Sequence, residues 1–214
     1  MHDNDNIKVS NIDGSKESTD DMLKYKQQII DALDNPANNR NRVFENDDRS
    51  KNAMIMAAMF ERCDEIIMYC GEMSIFRKDF YNLINNDYAR KGDEAKNVVK
   101  NAFESFIDNK KNRLSIILEN YEQTYLDDVI SPKFKDSRND NIRILKVNKD
   151  HLVTSILSHT TIGKKDDKVI IRRRETNRKD HTARCTVNLE QDTAQDSVSL
   201  MSYIAEASIP VEIK

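Results

Sequence analysis

Residues 65–71 read Glu-Ile-Ile-Met-Tyr-Cys-Gly. Ile66 to Cys70 is an unbroken apolar run, closed by Gly71. A run this short, with no polar alternation, fits a strand buried on both faces inside a sheet covered by helices. Just upstream, Ser50–Arg62 carries Ala53, Met54, Met56, Ala57 and Phe60 as a wide apolar stripe, with Ser50 placed to cap it. Together they read as a helix feeding a buried strand.

The alternation continues outward in both directions. Met22–Leu33 places Met22, Leu23, Tyr25, Ile29, Ile30 and Leu33 near helical spacing, with Asp20 as its cap and Asn35-Pro36 as its break. Residues 38–49 read as a polar connection. Downstream, Ser74–Asn85 is expected to be helical, with Phe76 and Phe80 inward. A further helix runs from Asp93 or Glu94 to Asp108, with Val98, Val99, Ala102, Phe103 and Phe106 on its inner side. Asn112–Leu118 is a second buried strand, Tyr121–Leu126 a short helix broken at Ser131-Pro132, and Asn141–Val147 a third strand. Leu152–Leu157 suits either type. Lys168–Arg174 and Thr182–Leu189 are two more strands around the turn-prone Asn177–Asp180. Asp196–Ala207 closes the order as a helix stopped by Pro210.

Helices alternating with apolar strands predict an α/β fold with a central mixed β-sheet flanked by helices, and the late strand pair adds an antiparallel portion. The expected organisation is a single domain over residues 21–214. Residues 1–20, rich in Asp, Asn and Ser, read as a flexible N-terminal tail.

Composition narrows the function classes. The chain has 214 residues, 38% hydrophobic and 33% charged, with only four Gly and three Pro, so collagen-like and Pro-rich classes are excluded. No apolar run approaches the roughly 20 residues that span a bilayer, so no membrane partner is expected. Cys63, Cys70 and Cys185 form neither a disulfide framework nor a Cys-x-x-Cys pair. The acidic start Met1-His2-Asp3-Asn4-Asp5 has no signal-peptide character, and the expected location is cytoplasmic. Gly14, Gly71, Gly92 and Gly163 are too scattered for GxGxxG, Walker A or GxSxG motifs. No cofactor and no metal is expected.

Several residue groups have plain explanations. Cys63 and Cys70 suit small buried apolar positions. Asp47-Asp48 and Asp127-Asp128 suit caps or solvated loops. Asp64 with Glu119 faintly resembles a metal nuclease core, but Asn120-Tyr121 follows Glu119 where a lysine would be needed. Met54, Met56 and Met59 suit the core.

Charge is uneven. The net charge is −3, yet Lys164 to Arg184 holds nine basic and four acidic residues, +5 against −8 for the remainder. Lys164, Lys165, Lys168, Arg172, Arg173 and Arg174 form a basic set suited to a nucleic-acid backbone or another phosphate polymer. On a strand, Arg172 and Arg174 share one face and Arg173 takes the other. The plainer alternative is a solvated strand end whose cations pair with Asp166, Asp167 and Glu175. No aromatic residue lies between positions 135 and 202 to stack bases, which favours backbone contact over sequence reading.

The same region begins His159-Thr160-Thr161-Ile162-Gly163-Lys164-Lys165-Asp166, followed by the apolar Val169-Ile170-Ile171. This resembles the phospholipase D-like superfamily, whose motif is His-x-Lys, four residues, then Asp, before a strand. The resemblance covers residues 40–210 in the order of elements and implies a phospholipase D-like fold. His159 takes the place of the nucleophile and Asp166 that of the motif aspartate. Thr161 stands where the lysine belongs, and Arg172-Arg173-Arg174-Glu175 stands where Gly-Ser-x-Asn is usual. The Arg-x-Glu of Arg173 and Glu175 is similar to degenerate members that keep the fold without the chemistry. The resemblance thus implies a catalytically degenerate domain acting as a nucleic-acid-binding or accessory subunit, paired as a homodimer or held in a larger complex. One alternative is a metal-independent nuclease or phosphodiesterase, with His159 as nucleophile, Asp166 orienting it and nearby arginines replacing the lysine. Another is a structural protein-interaction module.

Overall fold

The computed structural model describes residues 19–35, 42–46, 49–71, 86–119, 123, 140–148, 159–174, 183–188 and 191–211. Among these, the elements in chain order are α1 (Thr19–Asp34), β1 (Arg42–Asn46), α2 (Arg49–Arg62), β2 (Glu65–Cys70), α3 (Asn86–Asp108), β3 (Arg113–Leu118), β4 (Ile142–Lys146), β5 (Thr160–Lys165), β6 (Lys168–Arg174), β7 (Ala183–Asn188), α4 (Gln191–Ala207) and β8 (Ile209–Pro210). One mixed sheet holds all eight strands in the order β1-β7-β6-β5-β2-β3-β4-β8. β2, β3 and β4 are parallel, and every other neighbouring pair is antiparallel. The α/β class and central mixed sheet expected from the sequence are those of the structure.

Alternation along each strand sends successive side chains to opposite faces. Ile66, Met68, Leu114, Ile116, Ile144 and Ile170 face α1, α2 and α3, where they meet Ile29, Leu33, Met54, Met59 and Phe103. Ile67, Tyr69, Ile117, Leu145, Ile162 and Ile171 face α4, packing on Met201, Ile204 and Ala205. Strands that are apolar at every position therefore lie between two helical layers, as residues 65–71 require. Phe60 joins α2 to α3, meeting Phe103 edge-on with ring centroids 5.1 Å apart and Phe106 at a tilt with centroids 5.6 Å apart.

β5 crosses α2 at close range. A Cβ on Gly163 would stand 2.5 Å from the Cys63 Sγ and 2.9 Å from Cγ2 of Ile170. Glycine at this position is what lets the strand lie against the end of α2.

Several boundaries differ from the sequence reading. Residues 38–49 contain β1, an edge strand whose composition is mostly polar. β5 is a strand in its own right, in a stretch to which the sequence reading assigns no element. α3 begins at Asn86, ahead of the expected start at Asp93 or Glu94. Helices α1 and α2 open at Thr19 and Arg49, so Asp20 and Ser50 lie within the first turns. Asp20 there complements the helix dipole. The helix expected over Ser74–Asn85, the element over Leu152–Leu157 and the Asn177–Asp180 turn lie outside the described residues. So do the tail ahead of Thr19 and, apart from Gln123, the short helix Tyr121–Leu126. No helix among the described residues is long and apolar enough to cross a membrane.

Candidate functional site

The parallel strands end together. Cys70 closes β2 and Leu118 closes β3, and the Glu119 backbone N–H donates to the Cys70 carbonyl at 2.8 Å. Because β5 runs antiparallel to β2, with Tyr69 opposite Thr160, its first residues lie at this same end. β6 runs back up beside β5, which brings Arg172, Arg173 and Arg174 there as well. In open α/β sheets the crevice outside the carboxyl ends of the strands is the usual place for a ligand.

His159, one residue ahead of β5, occupies this end. Its Nε2 lies 3.0 Å from Oε2 of Glu119, one residue past β3. Both side chains are mostly covered, with 25% and 16% of their surfaces exposed. The ring also packs edge-on against Tyr69, with centroids 5.9 Å apart. In the neutral imidazole, a carboxylate accepting from Nε2–H places the lone pair on Nδ1. The imidazole is therefore held from two directions, by a hydrogen bond and by an aromatic wall.

The motif residues divide between the two ends of β5. Asp166 sits in the two-residue turn joining β5 to β6, with φ of 53°. Six residues of strand, about 20 Å at the usual rise, separate it from His159. The structure does not bring Asp166 to the histidine, and the carboxylate beside the ring is that of Glu119. Thr161 lies within β5 opposite Met68 and Arg172 and is 1% exposed. It turns towards α2 and brings no charge to His159.

The basic set divides in the same way. Lys164, Lys165 and Lys168 stand at the turn end. Lys164 pairs with Glu65 at 3.2 Å, and Lys165 pairs with Asp34 at 2.9 Å. Lys168 donates to the Leu33 carbonyl at 2.5 Å. Asp34 and Leu33 finish α1, whose last turn carries no base of its own. Lys165 and Lys168 thus supply the positive charge and the donor that a helix C-terminus lacks. The Lys165 hydrogen bond to Asp34, together with the Lys165 and Arg62 charges, holds that carboxyl below its ordinary value against a smaller opposing effect of burial.

The arginines stay at the histidine end. Arg172 points to the α2 side and donates through Nε to Asn52 Oδ1 at 2.6 Å. Arg173 points to the other face, where its Nη2 donates to Ser197 Oγ of α4. Arg174 is the last residue of β6. Asp64 precedes β2 and Glu119 follows β3, so the two acids weighed as a metal pair stand at opposite ends of the sheet. Among the described residues, no three His, Cys, Asp or Glu side chains cluster as a metal site.

Glu119, Tyr69, Asn52 and Ser197 are the partners that sequence reading does not supply for this site. Glu119 is 40 residues from His159, and only strand order brings the two together.

No protein-family model matches the chain, and no curated protein matches it. Among solved structures, the chain is similar to TrmBL2, an archaeal chromatin protein, with a TM-score of 0.51 and 11% identity over 88% of this chain. It spans 62% of that protein's length. NucT from Helicobacter pylori matches with a TM-score of 0.47 and 13% identity, over 80% of this chain and 99% of the other. Nuc from Salmonella typhimurium, a phospholipase D family member, matches with a TM-score of 0.45 and 10% identity, over 81% and 98%. At such identities a likeness speaks for fold alone. Helix–strand–helix–strand ahead of His159 and a strand pair and helix after β5 give the order of elements that the phospholipase D-like resemblance implies.

Proposed function

We propose that this chain is a catalytically degenerate phospholipase D-like domain that binds the phosphodiester backbone of nucleic acid at the His159 end of its sheet. The observation that carries the reading is the burial of Thr161. The position that would steady a phosphoryl group with a charged lysine is a neutral hydroxyl packed beneath α2. His159 and its carboxylate remain beside it, and the arginine end of β6 adds positive charge. Phosphate oxygens can be held there, while the charge stabilisation that speeds phosphoryl transfer is reduced. One protein of the same fold, the archaeal chromatin protein, binds DNA. The accessory role, pairing with a second copy and a cytoplasmic location belong to the same reading.

A second reading is favoured by the His159–Glu119 hydrogen bond. A histidine oriented by a carboxylate is the arrangement of an activated nucleophile: with no metal, its lone-pair nitrogen would attack phosphorus, the N–P bond forming as the P–O bond to the leaving strand breaks, and water would then cleave the N–P bond. The test is incubation of end-labelled DNA and RNA with the purified protein in EDTA, on denaturing and native gels, beside His159→Ala. Intact strands with a salt-sensitive mobility shift are expected. Cleavage lost in the variant would replace the degenerate reading with the enzyme reading. Neither shift nor cleavage would leave a protein-interaction role.

A further inference from the structure

We propose that Arg173, positioned by Ser197, is the cation that takes the phosphate oxygens beside His159. This rests on the phosphodiester-binding reading above and names the residue through which it works.

Tyr69, Thr160 and Arg173 form one row across β2, β5 and β6, in direct register. Side chains in such a row share a face, and facing neighbours lie about 5 Å apart. Tyr69 belongs to the α4 side, and its ring is the one against which His159 packs. Arg173 is therefore on the face towards which the imidazole leans, beside Thr160, which directly follows His159. Arg172 is not: it turns to the opposite face and reaches Asn52 on α2. The three lysines are at the other end of the strand, engaged with Glu65 and the end of α1.

The partner of Arg173 matters as much as its position. A carboxylate partner would orient the guanidinium and also cancel its charge. Ser197 orients it and leaves the charge intact. Ser197 is buried on the inner side of α4 beside Ala194, so its hydroxyl is a fixed anchor. The Arg173 residue itself is exposed. One of its five N–H groups is used by the serine, and the remaining donors suit the two non-bridging oxygens of a phosphodiester. Exposure, retained charge and a fixed fork are what a phosphate contact needs.

The test is a titration of a labelled single-stranded oligodeoxynucleotide of mixed sequence with the full chain at several salt concentrations. Wild type, Arg173→Gln, Arg173→Lys, Ser197→Ala and Lys111→Gln are compared. Lys111 lies in the exposed turn before β3, at the far end of the sheet, and its change removes the same charge. Arg173→Gln is expected to weaken binding roughly tenfold, the scale of a lost charged hydrogen bond. It should also flatten the log–log salt slope by about one. Arg173→Lys should keep the slope with weaker affinity, and Ser197→Ala should fall between wild type and Arg173→Gln. Lys111→Gln should match wild type. If Arg173→Gln binds like Lys111→Gln while wild type binds, the assignment of Arg173 is overturned and the binding reading stands. If wild type does not bind, the reading fails and the assignment with it.

Discussion

Glu119 and His159 are 40 positions apart in sequence, yet Oε2 of the acid lies 3.0 Å from Nε2 of the imidazole. The contact exists because β3 and β5 flank β2 with opposite directions, so the residue after one strand meets the residue before the other. Glu119→Ala should release the ring without disturbing the sheet. We expect loss of the nuclear Overhauser contacts between the His159 and Tyr69 rings, and a stability cost of about 1 kcal/mol. Unchanged contacts would mean that the ring is fixed without Glu119.

Gly163→Ala should be costly although only one methyl is added. That methyl would sit 2.5 Å from Cys63 Sγ and 3.2 Å from Cε of Met59. Overpacking of this kind costs about 1–3 kcal/mol, read as a lower urea midpoint. Cys63→Ala in the same chain should recover part of the loss, because it removes the nearest atom.

Phe103 is fully buried between α2 and the sheet and meets Phe60 edge-on. Phe103→Ala should cost about 3–5 kcal/mol in chemical denaturation. Retention of the melting temperature would show that α3 contributes less to the core than its packing indicates.

Asp166 takes a left-handed backbone conformation in the β5–β6 turn. Asp166→Ala should destabilise by about 1 kcal/mol, and Asp166→Gly should not. Neither should alter nucleic-acid affinity, since the turn is a strand length from His159. A parallel loss of affinity in both variants would return Asp166 to the site.

The end of α1 provides a pH signature. The carboxyl of Asp34 is held below its ordinary value mainly by its hydrogen bond from Lys165. A lowered folded-state value stabilises above the unfolded value, near 3.9, and that contribution is lost as pH falls through the folded one. Asp34→Asn should thus be less stable than wild type at pH 6, by no more than about 1 kcal/mol for so exposed a pair. The two proteins should converge as the pH drops below about 4. A gap that persists at pH 2.5 would mean that the effect is not electrostatic.

How far the sequence speaks depends on the range of the interaction that decides each element. Ile66–Cys70 and Leu114–Leu118 are legible because strands buried on both faces must be apolar throughout. β1 is not legible, since an edge strand of sequence Arg-Val-Phe-Glu-Asn need satisfy only one neighbour. β5 hides for a different reason. Its inward positions towards α2 include Thr161 and Gly163, and neither carries a hydrophobic signal. The site follows the same rule. His159 stands out within a local motif, whereas Glu119 and Ser197 are set beside their partners by strand order. The lysines next to the motif form a basic cluster locally, and in three dimensions Lys165 and Lys168 reach the end of α1 while Lys164 pairs with Glu65. Those partners follow from where α1 ends and β2 begins, which the local sequence does not state.

The narrow gap over Gly163 also makes a clock of a thiol. Cys63 is buried, and the backbone of β5 lies directly over its sulfur. Lifting of β5 would uncover that sulfur, and the same motion carries off the strand start next to His159. A ligand bridging His159 to its neighbours should therefore slow whatever part of Cys63 alkylation depends on that opening.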